Sequence, residues 1–257
     1  MQPPRYQLRF PSPNLTRAGQ NEGRFTIVDE GAERAIGFHD YATIYSYPGL
    51  YEQLFYERLQ CTSPGAVAGL LHKVAREAGD DPSQFRVLDF GAGNGMVGEL
   101  LVKRGSARVV GIDIIEEAAQ AAERDRPGAY DNYYVADVTQ LSPEQHEALR
   151  GWRFNALTTV AALGFGDIPV PAFRVAYNLI ADDGWVAFNI KESFLDTAAQ
   201  SGFSRLIKRM MYQDYLKLYH LERYRHRLSI EGRMLHYYAI VGRKRRDIDD
   251  ACVEDIG

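Results

Sequence analysis

Short apolar runs alternate with amphipathic stretches through the middle of the chain. The apolar runs lie at 86–90, 108–112, 133–136, 154–160 and 185–190. Stretches with helical spacing of apolar residues lie between them, at 96–104, 116–126, 143–149 and 171–180. Short apolar runs are typical of buried strands, whereas the longer periodic stretches are typical of amphipathic helices. Repeated strand–helix units predict a parallel sheet with helices on both of its faces.

The segment before this alternation has a different character. Residues 1–37 contain several prolines among mixed polar residues, and we predict an extended arm with one short strand at 25–28. Residues 38–80 are predicted to form a helical cap. It comprises two short aromatic helices interrupted near Pro48, followed by a longer helix that begins near Pro64.

The segment after the alternation predicts a lid, a hairpin and a tail. Residues 194–224 contain an amphipathic stretch, which we predict to form a helical lid inserted after the last parallel strand. The runs 224–230 and 234–241 are separated by a short turn, a spacing typical of an antiparallel hairpin. Residues 243–257 change from basic to acidic and are predicted to be a frayed, charged tail. The sequence therefore predicts one doubly wound α/β domain over 38–242, with a mostly parallel seven-stranded sheet.

Composition narrows the class of protein without identifying it. The chain has 257 residues, with 30 Lys and Arg against 34 Asp and Glu and a formal net charge of −4. A hydrophobic content of 46% and a charged content of 25% are ordinary for folded domains, which disfavours disorder. The acidic balance argues against a basic surface for nucleic acid. No apolar stretch approaches the roughly 18 residues that suggest a transmembrane helix.

The cysteines and tyrosines add two further observations. Cys61 and Cys252 are too few for a disulfide framework or a cysteine-rich zinc site. The first residues lack the apolar region of a secretory signal, so we expect a protein of the reducing cytoplasm. The one compositional excess is 16 tyrosines, of which 14 lie in 38–56, 130–134, 212–224 and 237–238.

The strongest chemical feature is a glycine-rich turn after the first predicted parallel strand. Residues 87–98 read VLDFGAGNGMVG, which predicts a strand, a turn and the start of a helix. Glycines let a ligand approach the backbone closely, and a helix N-terminus presents N–H groups to a carboxylate or a phosphate. The turn therefore predicts a ligand site at the carboxyl end of this strand.

Two interpretations of the turn are open. Residues 93–98 match G-x-G-x-x-G, and Asp113 follows about 20 positions later, as in a dinucleotide-binding fold. In the other frame, Asp89 ends the strand just before the first of three alternating glycines. A carboxylate at that position would repel a pyrophosphate but suits a ligand that carries an ammonium group.

Four segments at strand ends carry a family resemblance. They are VLDFGAGNG (87–95), VVGIDI (109–114), YVADV (134–138) and LIADDGWVAFNI (179–190). Together with the terminal hairpin, they resemble the class I S-adenosylmethionine-dependent methyltransferases. The resemblance implies a Rossmann-like methyltransferase fold, S-adenosylmethionine as cofactor and S-adenosylhomocysteine as product. The alternatives are a dehydrogenase and a domain that binds the cofactor without turnover.

The resemblance extends to a group within this superfamily. The segment HDYATIY (39–45) looks like the prelude of small-molecule methyltransferases, and the runs 98–113 and 129–141 are similar to the Williams–Beuren-region group. The chain lacks an Asn/Asp-Pro-Pro-Tyr/Phe box, a Pro-Cys nucleophile and an acidic metal cluster after the fourth parallel strand. We therefore expect a small-molecule substrate, no metal, no membrane and no nucleic-acid partner, and leave a homodimer open. The main alternative is a methyltransferase that acts on protein or RNA.

The resemblance also implies roles for single residues. Asp89 would hold the ammonium of the cofactor, directly or through water. Asp113 would accept hydrogen bonds from both ribose hydroxyls, with a helix cap as the alternative. Asp137 would accept from the adenine amino group, again with a loop cap as the alternative. Further cofactor contacts are expected at Tyr45, Gly91, Ala92, Gly93, Gly95, Met96, Ile114, Val138 and Ala161.

Catalysis of methyl transfer requires in-line positioning, and a base only where the nucleophile must lose a proton. Such a base must lie at the carboxyl ends of the strands or in the flanking segments. The candidates are Glu192, which follows the fifth strand, His39 in the cap and His220 in the insertion. Each has a plain structural alternative, as a surface or packing residue. The Met/Tyr stripe at 210–219 fits either a roof over the substrate or a core-facing helix.

Overall fold

A computed structural model describes residues 5–11, 23–29, 31–163, 167–195 and 202–253. These residues form a three-stranded sheet and a seven-stranded sheet, with helices around the larger one. No helix in these ranges is long and apolar enough to cross a lipid bilayer.

The amino-terminal segment forms a small antiparallel sheet. Its strands are β1 (Gln7–Arg9), β2 (Arg24–Asp29) and β3 (Ala32–Gly37), paired in the order β1-β2-β3. Phe25 and Ile27, two positions apart on β2, are both buried against the aromatic residues that follow the sheet. The predicted extended arm with one strand is therefore wrong for the described part of 1–37, because alternate side chains of β2 have a core to pack on.

Three helical segments follow the small sheet, as predicted. They are α1 (Tyr41–Ser46), a π-helical segment (Glu52–Arg58) and α2 (Ser63–Glu77). The first two pack with the small sheet in one aromatic cluster. The buried face of α2 instead lies in the core of the large sheet. The segment 38–80 is therefore helical but does not form one cap. Helix α2 belongs to the helical layer of the large sheet, whereas the two shorter helices pack with the small sheet.

The predicted alternation of strands and helices is confirmed. The parallel strands are β4 (Arg86–Phe90), β5 (Arg108–Asp113), β6 (Asn132–Val135), β7 (Ala156–Thr159) and β8 (Trp185–Lys191). The connecting helices are α3 (Met96–Lys103), α4 (Glu116–Asp125), α5 (Pro143–Gly151) and α6 (Val170–Asn178). Strands β4, β5, β7 and β8 are mostly buried on both faces, which explains their apolar runs, whereas the edge strand β6 is partly exposed.

The carboxyl-terminal hairpin completes the sheet. Its strands, β9 (Leu216–Leu228) and β10 (Met234–Lys244), pair antiparallel, and β10 also pairs antiparallel with β8. The strand order is β6-β5-β4-β7-β8-β10-β9, so the predicted seven-stranded, doubly wound sheet is confirmed. Both strands are longer than predicted, since β9 begins at Leu216 and β10 reaches Lys244.

The strand order creates a crevice at a defined place. From β4 the chain winds outward through β5 to β6, then returns to place β7 on the other side of β4. The helices after β4 and β7 therefore leave towards opposite faces of the sheet. Such a switch point opens a crevice at the carboxyl ends of the strands, where ligands bind in open α/β sheets.

The predicted lid is largely a core element. Helix α7 (Gly202–Tyr212) buries Phe203, Leu206, Ile207 and Met210 in the same core as α6 and β8. Residues from Leu216 onward are strand. The prediction of a helical lid over 194–224 is therefore wrong for the described residues, and the core-facing interpretation holds for Met210.

The predicted frayed tail is packed against the sheet. Lys244 is only 2% exposed, donates a hydrogen bond to the Ile180 carbonyl and forms an ion pair with Asp247. Ile248 is also buried, and α8 (Asp250–Val253) buries Cys252. The prediction is therefore wrong for 243–253, because these charges and apolar side chains have partners in the fold.

Candidate active site

An open cleft lies at the switch point between β4 and β7. It holds about 940 Å³ of space, part of it continuous with solvent. Its wall comes from the segments that follow four parallel strands and from the aromatic helices near the amino terminus. Six of the predicted cofactor contacts lie in this wall after the strands, namely Gly91, Asp113, Ile114, Asp137, Val138 and Ala161.

The glycine turn is held in its shape by close contacts. Gly93 has φ +54°, and a Cβ at this position would lie 2.6 Å from the hydroxyl of Tyr45. A Cβ at Gly98 would lie 2.4 Å from the ring of Tyr130. Both positions therefore require glycine because aromatic side chains occupy the space. Of the predicted loop contacts, Gly91 lines the cleft, whereas Ala92, Gly93, Gly95 and Met96 are not part of its wall.

The N–H groups of the turn are mostly used within the protein. Gly91 and Ala92 both donate to the carbonyl of Ile112 on β5, and Gly93 donates to Asp113. These three N–H groups precede α3, so their hydrogen bonds do not test the predicted N–H groups at the helix N-terminus. At the start of α3 the cap residue is Gly95, which has no side chain to accept from the first turn. The turn is therefore preformed before any ligand arrives.

Asp113 joins the turn to the cleft. Its Oδ2 accepts from the Gly93 N–H at 2.8 Å, and its Oδ1 accepts from the Ile115 N–H at 3.1 Å. Burial raises the pKa of this carboxyl, and the backbone donors oppose that shift. Each carboxylate oxygen has a second lone pair, so these contacts leave room for hydroxyl donors from the cleft. The N-cap residue of α4 is Ile115, so the helix-cap alternative is wrong for Asp113, and its ribose role stays a prediction.

Asp89 lies behind the turn. The carboxylate is 1% exposed and accepts from the Thr158 hydroxyl at 2.7 Å and from the Tyr130 hydroxyl at 2.8 Å. Burial raises its pKa to about 7, although both hydrogen bonds favour the charged form. Asp89 is not in the wall of the cleft. This placement fits the predicted indirect contact with an ammonium group, through water, better than the direct one.

The far wall of the cleft combines an apolar and an acidic side chain. Ile114 is 63% exposed, unusually high for an isoleucine, and offers an apolar face to the cleft. The Asp137 carboxylate accepts from Thr139 and Gln140, and these hydrogen bonds lower its pKa. Asp137 is thus a loop cap, as the alternative interpretation expected, and still borders the cleft.

Three tyrosines from the amino-terminal helices cover the opposite side. The rings of Tyr41 and Tyr45 stack at 6.2 Å between centroids, and those of Tyr45 and Tyr51 are 5.0 Å apart. Burial raises the pKa of all three hydroxyls. Tyr45 lines the cleft, and its contact with the cofactor stays a prediction. Tyr41 was not singled out as a cofactor contact, although its spacing of four from Tyr45 puts both on one helix face.

A polar cluster ties the π-helical segment to the turn. Glu52 accepts from the Asn94 side chain at 2.8 Å and forms an ion pair with Arg126 at 2.6 Å. Arg126 also donates to the Asn94 carbonyl at 3.0 Å. No sequence pattern connects these three residues, because they come from three separate segments. We call this cluster the loop latch.

A second, smaller cavity adjoins the cleft. It holds about 540 Å³ of space, against about 940 Å³ for the cleft. Ala161 and Asp167 line both spaces, as do Tyr41 and Tyr51. Ala161 has φ +58°, and its N–H donates to the buried side chain of Asn189 at 2.6 Å. A non-glycine residue is rarely left-handed, so this hydrogen bond stabilises a strained junction between the two spaces.

The three predicted bases lie in different places. His39 lines the second cavity, with its Nδ1 3.3 Å from Asp167. Glu192 forms an ion pair with Arg223 at 2.7 Å, which lowers its pKa, and is in neither wall. His220 is on the outer strand β9, not in a lid, and lies 3.4 Å from Glu222. Of the three, His39 is the one that the structure brings to the cavities.

Comparison with known proteins gives a family match and a partial relative. A family model described as a methyltransferase domain matches residues 63–237. The ubiquinone biosynthesis O-methyltransferase of Neisseria meningitidis serogroup C (strain 053442) is 29% identical over 104 residues. The match covers 40% of this chain and 43% of that protein, so the chain spans less than half of that relative.

Two solved structures that resemble this chain are distant from it in sequence. A proposed RNA methyltransferase from Pyrococcus horikoshii has a TM-score of 0.52 at 16% identity, over 72% of this chain and 87% of that one. Magnesium protoporphyrin IX methyltransferase from Synechocystis PCC 6803 has a TM-score of 0.49 at 12% identity, over 70% and 79%. The first of these likenesses supports the fold.

Proposed function

The chain belongs to the methyltransferase-domain family of S-adenosylmethionine-dependent enzymes, and from that premise we propose that it methylates a small molecule held in the second cavity, with His39 as general base. One observation carries the proposal. The cleft and the second cavity meet at Ala161 and Asp167, and an imidazole–carboxylate pair stands at that junction.

The residues of the cleft fit the cofactor. Its space of about 940 Å³ includes open solvent, and its wall brings glycine, apolar and acidic positions together. Ile114 and Asp137 would hold the adenine, Asp113 the ribose hydroxyls, and Gly91 the methionine part, with Asp89 facing its ammonium through water. When bound, the cofactor supplies an electrophilic methyl group on a sulfonium. The protein has to orient the acceptor and remove its proton.

The pair of His39 and Asp167 is suited to proton removal. If Asp167 accepts from Nδ1–H, the imidazole is held in the tautomer with its lone pair on Nε2. Nε2 then takes the proton of an acceptor hydroxyl, and the carboxylate stabilises the resulting imidazolium. The separation of 3.3 Å is long for a hydrogen bond, as is common in catalytic pairs without substrate.

The tyrosines of the cleft wall compete poorly with the acceptor for the methyl group. Burial raises the pKa of Tyr41, Tyr45 and Tyr51, so their hydroxyls stay protonated and are weak nucleophiles. The bound acceptor is therefore the nucleophile best placed to receive the methyl group.

A transfer assay tests this proposal. The protein is incubated with labelled S-adenosylmethionine and a metabolite extract, and the labelled product is identified by mass spectrometry. We expect a labelled small molecule, formed at least tenfold more slowly by H39N than by the wild type. H146N, in helix α5, is the matched control and should behave as wild type. Label found only in RNA or protein would contradict the proposal, as would an unchanged rate for H39N.

A further inference from the structure

The second cavity carries charges of both signs on apolar walls. Phe38, Phe55 and Tyr237 supply aromatic surface. Asp167, paired with His39, supplies the negative charge, and Arg227 on β9 supplies a positive one. We propose that the acceptor is a single-ring aromatic compound that carries a hydroxyl and a carboxylate. Arg227 binds the carboxylate while the hydroxyl faces His39, and this inference rests on the proposed function.

Arg227 is available for a ligand anion. Its Nη1 donates to the Leu228 carbonyl at 2.9 Å, and no carboxylate lies within ion-pair distance of it in the described part of the chain. By contrast, Arg223 on the same strand pairs with Glu192. A guanidinium has five N–H donors in a planar fork, which matches the two oxygens of a carboxylate. Arg227 therefore retains the donors for a two-point contact.

The positive charge of Arg227 affects the pKa of several residues around the second cavity. Burial raises the pKa of Tyr41, Cys61 and Tyr237, and the positive charge of Arg227 opposes this shift in all three. Arg227 thus faces the space that these side chains enclose. A partly buried cation in apolar surroundings interacts strongly with an anion, because solvent screens the pair little.

His226, next to Arg227 in the sequence, does not add a second positive charge. His226 is buried, lies 2.6 Å from the Ser63 hydroxyl and packs against the tilted ring of Tyr237, with 3.9 Å between ring centroids. Burial lowers its pKa to about 3, so it is neutral near pH 7. The two charges that act on an acceptor are therefore Arg227 and the pair of His39 and Asp167.

The size of the cavity limits the acceptor. The space of about 540 Å³ includes open solvent and is smaller than that of the cleft, which favours one ring over a polymeric substrate. The aromatic residues offer edge-to-face and offset contacts to a ring. The hydroxyl and the carboxylate would then lie on opposite sides of that ring, one towards His39 and the other towards Arg227.

Calorimetry on the protein saturated with S-adenosylhomocysteine tests this inference. The ligands are 4-hydroxybenzoate, 4-hydroxyphenylacetate and 3-(4-hydroxyphenyl)propanoate, each beside its methyl-terminated neutral analogue, and tyramine as the cation. We expect at least one acid to bind tenfold or more tightly than its analogue. R227Q should remove this ratio while leaving the neutral analogues and S-adenosylhomocysteine within twofold, and R227K should restore part of it.

R225Q is the matched control, since Arg225 lies on the same strand and contacts Gln60 outside both cavities. It should keep the preference for the acid. If every acid binds no better than its analogue, or if tyramine binds best, the inference is wrong while the proposed function stands. Absence of saturable S-adenosylhomocysteine binding would instead contradict the proposed function itself.

Discussion

The hydroxyl of Tyr130 donates a hydrogen bond of 2.8 Å to the buried carboxylate of Asp89, directly behind the glycine turn. The same hydroxyl lies 3.2 Å from the Ala92 carbonyl, and the neighbouring Tyr133 hydroxyl donates to the Gly93 carbonyl at 2.8 Å. Hydrogen bonds from Tyr130 and Tyr133 thus hold the turn in place. They explain why one of the tyrosine clusters of the sequence lies at 130–134.

The burial of Asp89 predicts a dependence of stability on pH. Its pKa is about 7 in the folded chain, against about 3.9 in an unfolded one, so the folded state binds the proton more tightly. Stability is therefore highest below pH 4 for this group and falls as the pH rises towards 7, by up to about 1.4 kcal/mol per pH unit. D89N, which stays neutral, should lack this loss.

Urea denaturation of the wild type and D89N at pH 5 and pH 8 measures this difference. The stability of D89N relative to the wild type should be greater at pH 8 than at pH 5. The same variant should bind S-adenosylhomocysteine more weakly, because it lacks the negative charge towards the ammonium. A difference between the two proteins that is independent of pH would show that Asp89 titrates normally.

Gly98 predicts a second effect on stability. An added Cβ would lie 2.4 Å from the Tyr130 ring, so G98A must displace the ring and disturb its bond to Asp89. We expect a loss of about 1–3 kcal/mol in the free energy of unfolding, as for other overpacked sites. G65A, in helix α2, meets no neighbour within 4 Å and should be neutral or slightly stabilising. Equal stabilities of the two variants would contradict the packing seen here.

The loop latch predicts a change in dynamics. E52Q weakens the contacts of Glu52 with Arg126 and Asn94, which join the amino-terminal helices to the turn. Amide hydrogen exchange in residues 91–98 should become faster, and S-adenosylhomocysteine should bind more weakly, since the turn is less well held. E57Q, in the same π-helical segment but paired with the exposed Arg5, is the control. Exchange at 91–98 that is as slow in E52Q as in E57Q would argue against the latch.

Local patterns predicted the centre of the sheet well. The apolar run of β4 and the glycines after it are adjacent in sequence, so the strand bounds Arg86–Phe90 match the prediction. By contrast, the amphipathic pattern of 194–224 predicts helix at the start of β9, with Leu218 and Leu221 three positions apart. In the structure both leucines are exposed on the outer strand β9, so their spacing does not reflect a buried helix face.

Contacts between distant segments could not be predicted. The basic run at the end of β10 resembles a solvated chain end, yet the Lys244 ammonium reaches the Ile180 carbonyl inside the fold. Likewise, no sequence pattern predicts the ion pair between Arg126 and Glu52. The tyrosines at 38–56 and 130–134 do flank the site. Those at 212–224, for which a substrate roof was one of two interpretations, do not line either cavity.

The central claim is that the crevice between β4 and β7 binds S-adenosylmethionine, and calorimetric titration with S-adenosylhomocysteine tests it most directly. We predict saturable binding at one site. D113N, which keeps an acceptor for one backbone N–H but loses the charge and one of the paired acceptors, should weaken this binding by roughly 1–3 kcal/mol. Absence of saturable heat with the folded wild type would contradict the account, and so would an unchanged affinity for D113N.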